Sequence, residues 1–143
     1  MAEAYVLIVD DDKELLETVG ERLRNRDIFV DTASNGAEAL AKIAAHTFDA
    51  IVLDLMMPEL DGMETLKRAL KKKPDLQIIL LTGHASVQHG VEAMREGALD
   101  FMEKPADLDV LVEKIKEGRE RRMKIDAQTR ENAVREALRK YSW

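Results

Sequence analysis

Apolar residues alternate between two patterns along the first 120 residues. Short runs rich in β-branched side chains fall at Tyr5–Val9, Ile28–Thr32, Ala50–Leu53 and Gln77–Leu81, with a weaker one at Leu99–Met102. The first, third and fourth are nearly continuous, as strands covered on both faces are. Between the runs, apolar positions recur at helical spacing: Leu15, Leu16, Val19 and Leu23; Leu40, Ile43 and Ala44; Met63, Leu66 and Leu70; Val87, Val91 and Met94; Leu108, Leu111, Val112 and Ile115. Asn35-Gly36, Pro58, Asp61-Gly62, Pro74-Asp75, Gly83, Gly97 and Pro105 punctuate the segments. Five strands alternating with five helices predict an α/β fold: a doubly wound parallel sheet with right-handed crossovers and helices on both faces.

After Ile115 the pattern changes. Residues 119–140 are rich in Arg, Lys, Glu and Ala without Pro or Gly, so helix remains favoured. The apolar stripe thins to Met123, Ala127, Val134, Leu138 and Tyr141. A strict heptad puts Arg122, Thr129 and Asn132 in the seam, which is weak support for a long coiled coil. An extended C-terminal helix is predicted, too thinly apolar to be stable alone.

A length of 143 residues is one domain with little left over. The hydrophobic content of 45% supplies a core. With no cysteine, disulfides, thiolate metal sites and a cysteine nucleophile are excluded, and His46, His84 and His89 cannot easily build a His-rich metal site. No apolar run reaches the roughly 18 residues of a membrane span, and no signal-peptide pattern opens the chain, so a cytoplasmic protein is expected. The net charge of −6 is uneven. Residues 121–143 carry seven bases and three acids, a balance of +4, leaving 15 bases and 25 acids in 1–120, a balance of −10. An acidic body of that kind suits a cationic ligand better than nucleic acid.

Ligands of parallel α/β sheets bind beyond the carboxyl ends of the strands. The residues just there are Asp10, Asp11 and Asp12 after the first strand, Asp54 after the third, Thr82-Gly83 after the fourth and Lys104-Pro105 after the fifth. Helix capping by Asp12, and by Thr82 or Ser86, is the plain explanation for some of them. It does not explain Asp10, Asp11 and Asp54 together, whose mutual repulsion calls for a hard divalent cation, Mg²⁺ by preference. A carboxylate beside such an ion can attack phosphorus and form an aspartyl-phosphate. The metal and Lys104 would neutralise the transferring group, and the Thr82 hydroxyl could bond a phosphoryl oxygen.

The ordered set Val9-Asp10-Asp11-Asp12, Leu53-Asp54-Leu55-Met56-Met57-Pro58, Asp61-Gly62, Leu81-Thr82-Gly83 and Gly97-Ala98-Leu99-Asp100-Phe101-Met102-Glu103-Lys104-Pro105 resembles the CheY-like receiver domain of bacterial two-component response regulators. The resemblance covers about residues 4–118. It implies a flavodoxin-like strand order of 2-1-3-4-5. It implies that Asp54 is the phosphoacceptor, that Asp10, Asp11, Asp54 and the Met56 main-chain carbonyl hold Mg²⁺, with Mn²⁺ able to substitute, that Thr82 and Phe101 form the switch pair, that Lys104 pairs with the phosphate, and that Lys104-Pro105 is a cis peptide. Ala106 departs from the aromatic residue often found after the Lys-Pro pair. Met56 and His84 fall at variable positions that tune phosphate lifetime in the family.

The implied function is a phosphorylation-dependent switch rather than an enzyme, with only self-phosphorylation and slow self-dephosphorylation. It would take its phosphoryl group from a sensor histidine kinase or phosphotransfer protein and signal through the fourth helix, fifth strand and fifth helix. The competing reading is a Mg²⁺-dependent phosphatase or phosphotransferase with an aspartyl-phosphate intermediate. Such enzymes need a second acid where this chain has Met56, and a cap for which it has no room. A flavin-binding protein is disfavoured because three aspartates would repel the flavin phosphate. Residues 1–120 are expected to form the receiver domain and 121–143 a basic helical extension, either a linker or a dimerisation element. A homodimer would use the fourth-helix, fifth-strand and fifth-helix face together with the extension and, at its end, Trp143. Direct nucleic-acid and membrane binding are not expected.

Several residues have plainer roles. Phe101 taken alone would be a core aromatic, and His84 and His89 helix-surface residues. Glu59 and Asp61 belong to a solvated turn whose backbone freedom Gly62 supplies. Arg119, Arg121, Arg122 and Lys124 form a solvated helix end complementing the helix dipole.

Overall fold

The computed structural model describes residues 4–57, 61–83 and 87–141. Pro58, Glu59, His84, Ser86 and Trp143, singled out above, lie outside them. The elements run β1 (Ala4–Val9), α1 (Lys13–Arg24), β2 (Ile28–Ala33), α2 (Gly36–Ala45), β3 (Ala50–Leu53), α3 (Gly62–Lys72), β4 (Ile78–Thr82), α4 (Val87–Arg95), β5 (Asp100–Glu103) and α5 (Leu108–Lys140). The strands form one parallel sheet in the order β2-β1-β3-β4-β5. This is the predicted architecture, with strand ends displaced by a residue: β4 includes Thr82, and β5 starts at Asp100.

The two-residue period of the strands divides the core between the sheet's faces. Leu7, Val9, Ile51, Leu53, Ile78 and Leu80 point to one face, where Ala39, Ile43, Leu66, Ala69 and Ala93 of α2, α3 and α4 cover them. Val6, Ile8, Val52, Ile79 and Leu81 point to the other, under Leu16 and Leu23 of α1 and Leu111, Val112 and Ile115 of α5. β3 and β4 are buried along their whole length and carry no polar residue before their carboxyl ends, whereas the edge strand β2 leaves Phe29 exposed and holds Asp31 and Thr32 half-buried.

Capping residues start the helices. Asp12 accepts from the Glu14 and Leu15 amides, Asn35 from Glu38, Asp61 from Glu64 and Asp107 from Val110. Asp61, expected merely in a solvated turn, therefore also starts α3. Gly62 is needed for a different reason than turn freedom. A Cβ there would lie 2.1 Å from the Asp54 carbonyl oxygen and 2.4 Å from Leu55 Cα, so only glycine lets α3 begin against the end of β3.

The last helix is continuous for 33 residues. Its first turns are held by the core, and from Glu117 onward it carries i,i+4 ion pairs such as Arg121–Glu117 and Arg135–Glu131, each worth about 0.2–0.5 kcal/mol. The expectation that residues 119–124 form a solvated helix end needs correcting, because α5 runs on to Lys140. Arg122 also turns to the body, where it reaches buried Asp49 at 2.5 Å.

Candidate functional site

The carboxyl edge of the sheet gathers side chains from four strand ends. Asp10, just after β1, is 2% exposed, and Asp54, just after β3, is 4% exposed. Backbone bonds set their positions: the Asp10 amide donates to the Ala33 carbonyl and the Asp54 amide to the Val9 carbonyl. Asp11 is exposed beside them. One carboxylate oxygen from each of the three lies within 4.8 Å of the others. At that spacing and an effective dielectric of about 20, two ionised carboxylates repel by about 3 kcal/mol.

Lys104, at the end of β5, partly offsets this. Its Nζ lies 2.8 Å from Asp10 Oδ2 and 3.4 Å from Asp54 Oδ2. The Lys104 amide donates to the Thr82 carbonyl, which fixes the lysine beside β4, and its bond to Pro105 is cis. Thr82 is fully buried and its hydroxyl donates to Asp54 Oδ1 at 3.1 Å. The Met56 amide donates to the same oxygen at 3.2 Å, while the Met56 side chain is exposed.

Electrostatics follow from this crowding. Burial pushes the Asp10 carboxyl above its ordinary value, and the charge of Asp54 adds to the rise, against the lowering effect of Lys104 and the Asp12 amide. Burial alone would lower the Lys104 ammonium, but its bonds and attraction to Asp10 and Asp54 prevail and raise it. Three clustered carboxylates with one lysine form a site short of positive charge. Their hard oxygen donors suit Mg²⁺.

Asp10, Asp11, Asp54, Thr82 and Lys104 thus converge. Asp12 instead caps α1. Phe101 stands apart from the carboxylates, half-buried on the α2–α3–α4 side of the sheet. His89 is on the exposed surface of α4. Sequence reasoning passed over Gly90. A Cβ on that residue would meet the Phe101 ring at 2.4 Å. The available signal was a glycine in the middle of a helical stripe.

The family model described as the response regulator receiver domain matches residues 6–116. The transcriptional regulatory protein GlrR of Escherichia coli (strain K12) is 38% identical over 117 residues, which are 82% of this chain and 26% of that protein. ZraR of Klebsiella oxytoca is 39% identical over 106 residues, 74% of this chain and 24% of that protein. The chain therefore spans about a quarter of the length of the curated relatives it matches. Among solved structures, a response regulator receiver domain protein from Clostridium thermocellum superposes with a TM-score of 0.82 at 30% identity, covering 85% of this chain and 98% of that one. NtrX from Brucella abortus, in its complex with ADP, gives a TM-score of 0.82 at 27% identity, covering 99% of this chain and 34% of that one.

Proposed function

The chain belongs to the response regulator receiver domain family, and on that premise we propose that Asp54 is the phosphoacceptor of a phosphorylation-dependent switch in two-component signalling. An Asp54 carboxylate oxygen attacks the phosphorus of a phosphohistidine on a sensor kinase or phosphotransfer protein. The phosphorus–nitrogen bond breaks, the imidazole leaves and takes a proton, and an acyl phosphate remains. Asp10, Asp11, Asp54 and the Met56 main-chain carbonyl are the residues that would hold Mg²⁺, or Mn²⁺ in its place. The ion supplies charge neutralisation on the transferring group. Lys104 pairs with a phosphoryl oxygen, Thr82 donates its hydroxyl to another, and Phe101 responds. Self-phosphorylation and slow self-dephosphorylation are the only reactions assigned to the chain, and its compartment is the cytoplasm.

One observation carries this reading: a buried carboxylate that meets a lysine Nζ at 3.4 Å and a threonine hydroxyl at 3.1 Å, with two further acids alongside. An aspartyl-phosphate phosphatase or phosphotransferase is not favoured, since the residue two beyond Asp54 is Met56 rather than a second acid.

Residues 1–120 act as the receiver and 121–143 as its basic helical extension, a dimerisation element in this reading rather than a linker. Met123, Val134, Leu138 and Tyr141 are exposed there. At helical pitch these residues lie about 100–160° around the axis from Arg122, away from the body. A second copy, docking through this stripe and the α4–β5–α5 face, is the partner that would cover them. Direct contact with nucleic acid is not assigned to this chain, because the bases of the extension alternate with Glu and Ala.

The test is incubation with acetyl phosphate and Mg²⁺, followed by intact-mass measurement. The native chain should gain one phosphoryl group and Asp54→Asn none. Equal labelling of the two would remove Asp54 from the role.

A further inference from the structure

We propose that Gly90 gates the movement of Phe101: its missing side chain forms the slot in α4 that the aromatic ring occupies. The proposal rests on reading Phe101 as the responding residue of the switch.

Gly90 is buried in the middle of α4. A Cβ built there would lie 2.4 Å from Phe101 Cε2, 2.5 Å from Cδ2 and 3.0 Å from Cζ. These three atoms form one edge of the ring, so the edge is seated on the bare helix backbone. Spinning the ring about its own axis relieves Cε2 and Cδ2 but not Cζ, which lies on that axis and would stay at 3.0 Å, so full relief needs the ring or α4 to move.

The helix cannot easily retreat instead. Ala93, one turn further along α4, is fully buried in the core, and lifting α4 would uncover it. A side chain at position 90 therefore forces one of two movements, the ring outward or α4 off the sheet. Both change the same α4–β5 surface.

The sheet register links this slot to the site. Leu80 pairs with Phe101 and Thr82 with Glu103. Paired residues share a face of the sheet, and so do residues two apart on one strand. Thr82 and Phe101 thus lie on one face, with Thr82 one side-chain step nearer Asp54. The Thr82 hydroxyl bonds Asp54 in the same structure that seats the ring at Gly90. A shift of Thr82 changes the space beside the ring, and Gly90 determines whether the ring can occupy it. Glycine is a poor residue for a helix interior, so alanine would favour α4 if the space were free. The sign of that substitution reports whether the slot is filled.

The experiment uses the full chain in four forms: native, Gly90→Ala, Phe101→Ala and the double variant. In thermal melts, Gly90→Ala should lower Tm when Phe101 is present and raise it when residue 101 is alanine. A change of the same sign in both backgrounds overturns the contact. Amide NMR with beryllofluoride then reads the switch. The native chain should respond near residues 10, 54 and 82 and across α4 and β5. Gly90→Ala should keep the first set and lose the second. An undiminished response across α4 and β5 overturns the gate. Absence of any response near 10, 54 and 82 in the native chain overturns the Asp54 reading and the switch with it, while the melts still decide the Gly90–Phe101 contact.

Discussion

Both ends of the sheet bury aspartate next to a cation from a distant part of the chain, but the excess of acid is packed tightly only at one of them. At the amino end, Asp49 is 6% exposed. Its Oδ2 accepts from the Tyr5 amide at 2.8 Å and its Oδ1 from Arg122 at 2.5 Å. One buried acid meets one base, which also reaches the half-exposed Asp126 at 3.7 Å, and both Asp49 carboxylate oxygens are used. At the carboxyl end, Asp10, Asp11 and Asp54 share a single lysine. A matched buried pair contributes position and costs little further charge repulsion. An unmatched cluster keeps part of its repulsion in the fold, and that repulsion is available to a cation or a phosphoryl group. The amino end is accordingly a latch that ties α5 to the body, and the carboxyl end is the candidate site.

The largest effect that separates the two ends should come from metal. If Asp10, Asp11 and Asp54 hold Mg²⁺, the ion at 100 times its dissociation constant should stabilise the native chain by roughly 2.7 kcal/mol. Asp11→Ala should remove most of that gain. Urea unfolding with and without Mg²⁺ measures it, and coincident curves for the native chain would mean that the two ends do not differ in this way.

The amino end should respond to mutation with no dependence on metal. Asp49→Ala leaves the Tyr5 amide without its acceptor and Arg122 with only the half-exposed Asp126, 3.7 Å away. Because the Arg122 side chain is 24% exposed and can turn to water, the loss should be about 2 kcal/mol rather than that of a fully buried pair. The same urea titrations should show that loss equally with and without Mg²⁺. Faster hydrogen exchange over residues 119–126 should accompany it. A Mg²⁺-dependent loss would join the two ends into one system.

The smallest effect belongs to Asp100, whose ion pair with Lys114 ties β5 to α5 midway between the ends. Burial would raise its carboxyl, but Lys114 and the Phe101 amide outweigh burial and hold it below the ordinary 3.8. A depressed folded value means stability that is present above the unfolded value and lost as pH falls through the folded one. The pair is partly exposed, so Asp100→Asn should cost less than about 1 kcal/mol at neutral pH. That difference should vanish in melts taken well below pH 3.8. A constant difference across pH would assign the effect to packing instead.

What could be read from the chain alone depended on local rules. The continuous apolar runs at β1, β3 and β4 specified strands covered twice, since a half-exposed strand would have alternated. The helical stripes specified their inward faces. The order of Asp10, Asp11, Asp54, Thr82 and Lys104 along the chain placed them at one sheet edge, because parallel strands put all their carboxyl ends on the same side. The resemblance resting on those residues supplied the strand order, which periodicity by itself leaves open.

Other features required the folded chain. Arg122 looks like any solvated arginine until α5 crosses the amino end of β3, 73 residues away in sequence from Asp49. Gly62 looks like turn glycine until α3 is seen to begin against the Asp54 carbonyl. Gly90 looks like a weak point in α4 until the Phe101 ring is found against it. In each case the deciding quantity is a distance of closest approach between elements remote in sequence. Periodicity and residue type determined which faces turn inward and which strand ends carry charge. How closely those faces approach is set by packing of the whole core at near-crystalline density, a sum over every neighbour that no local pattern contains.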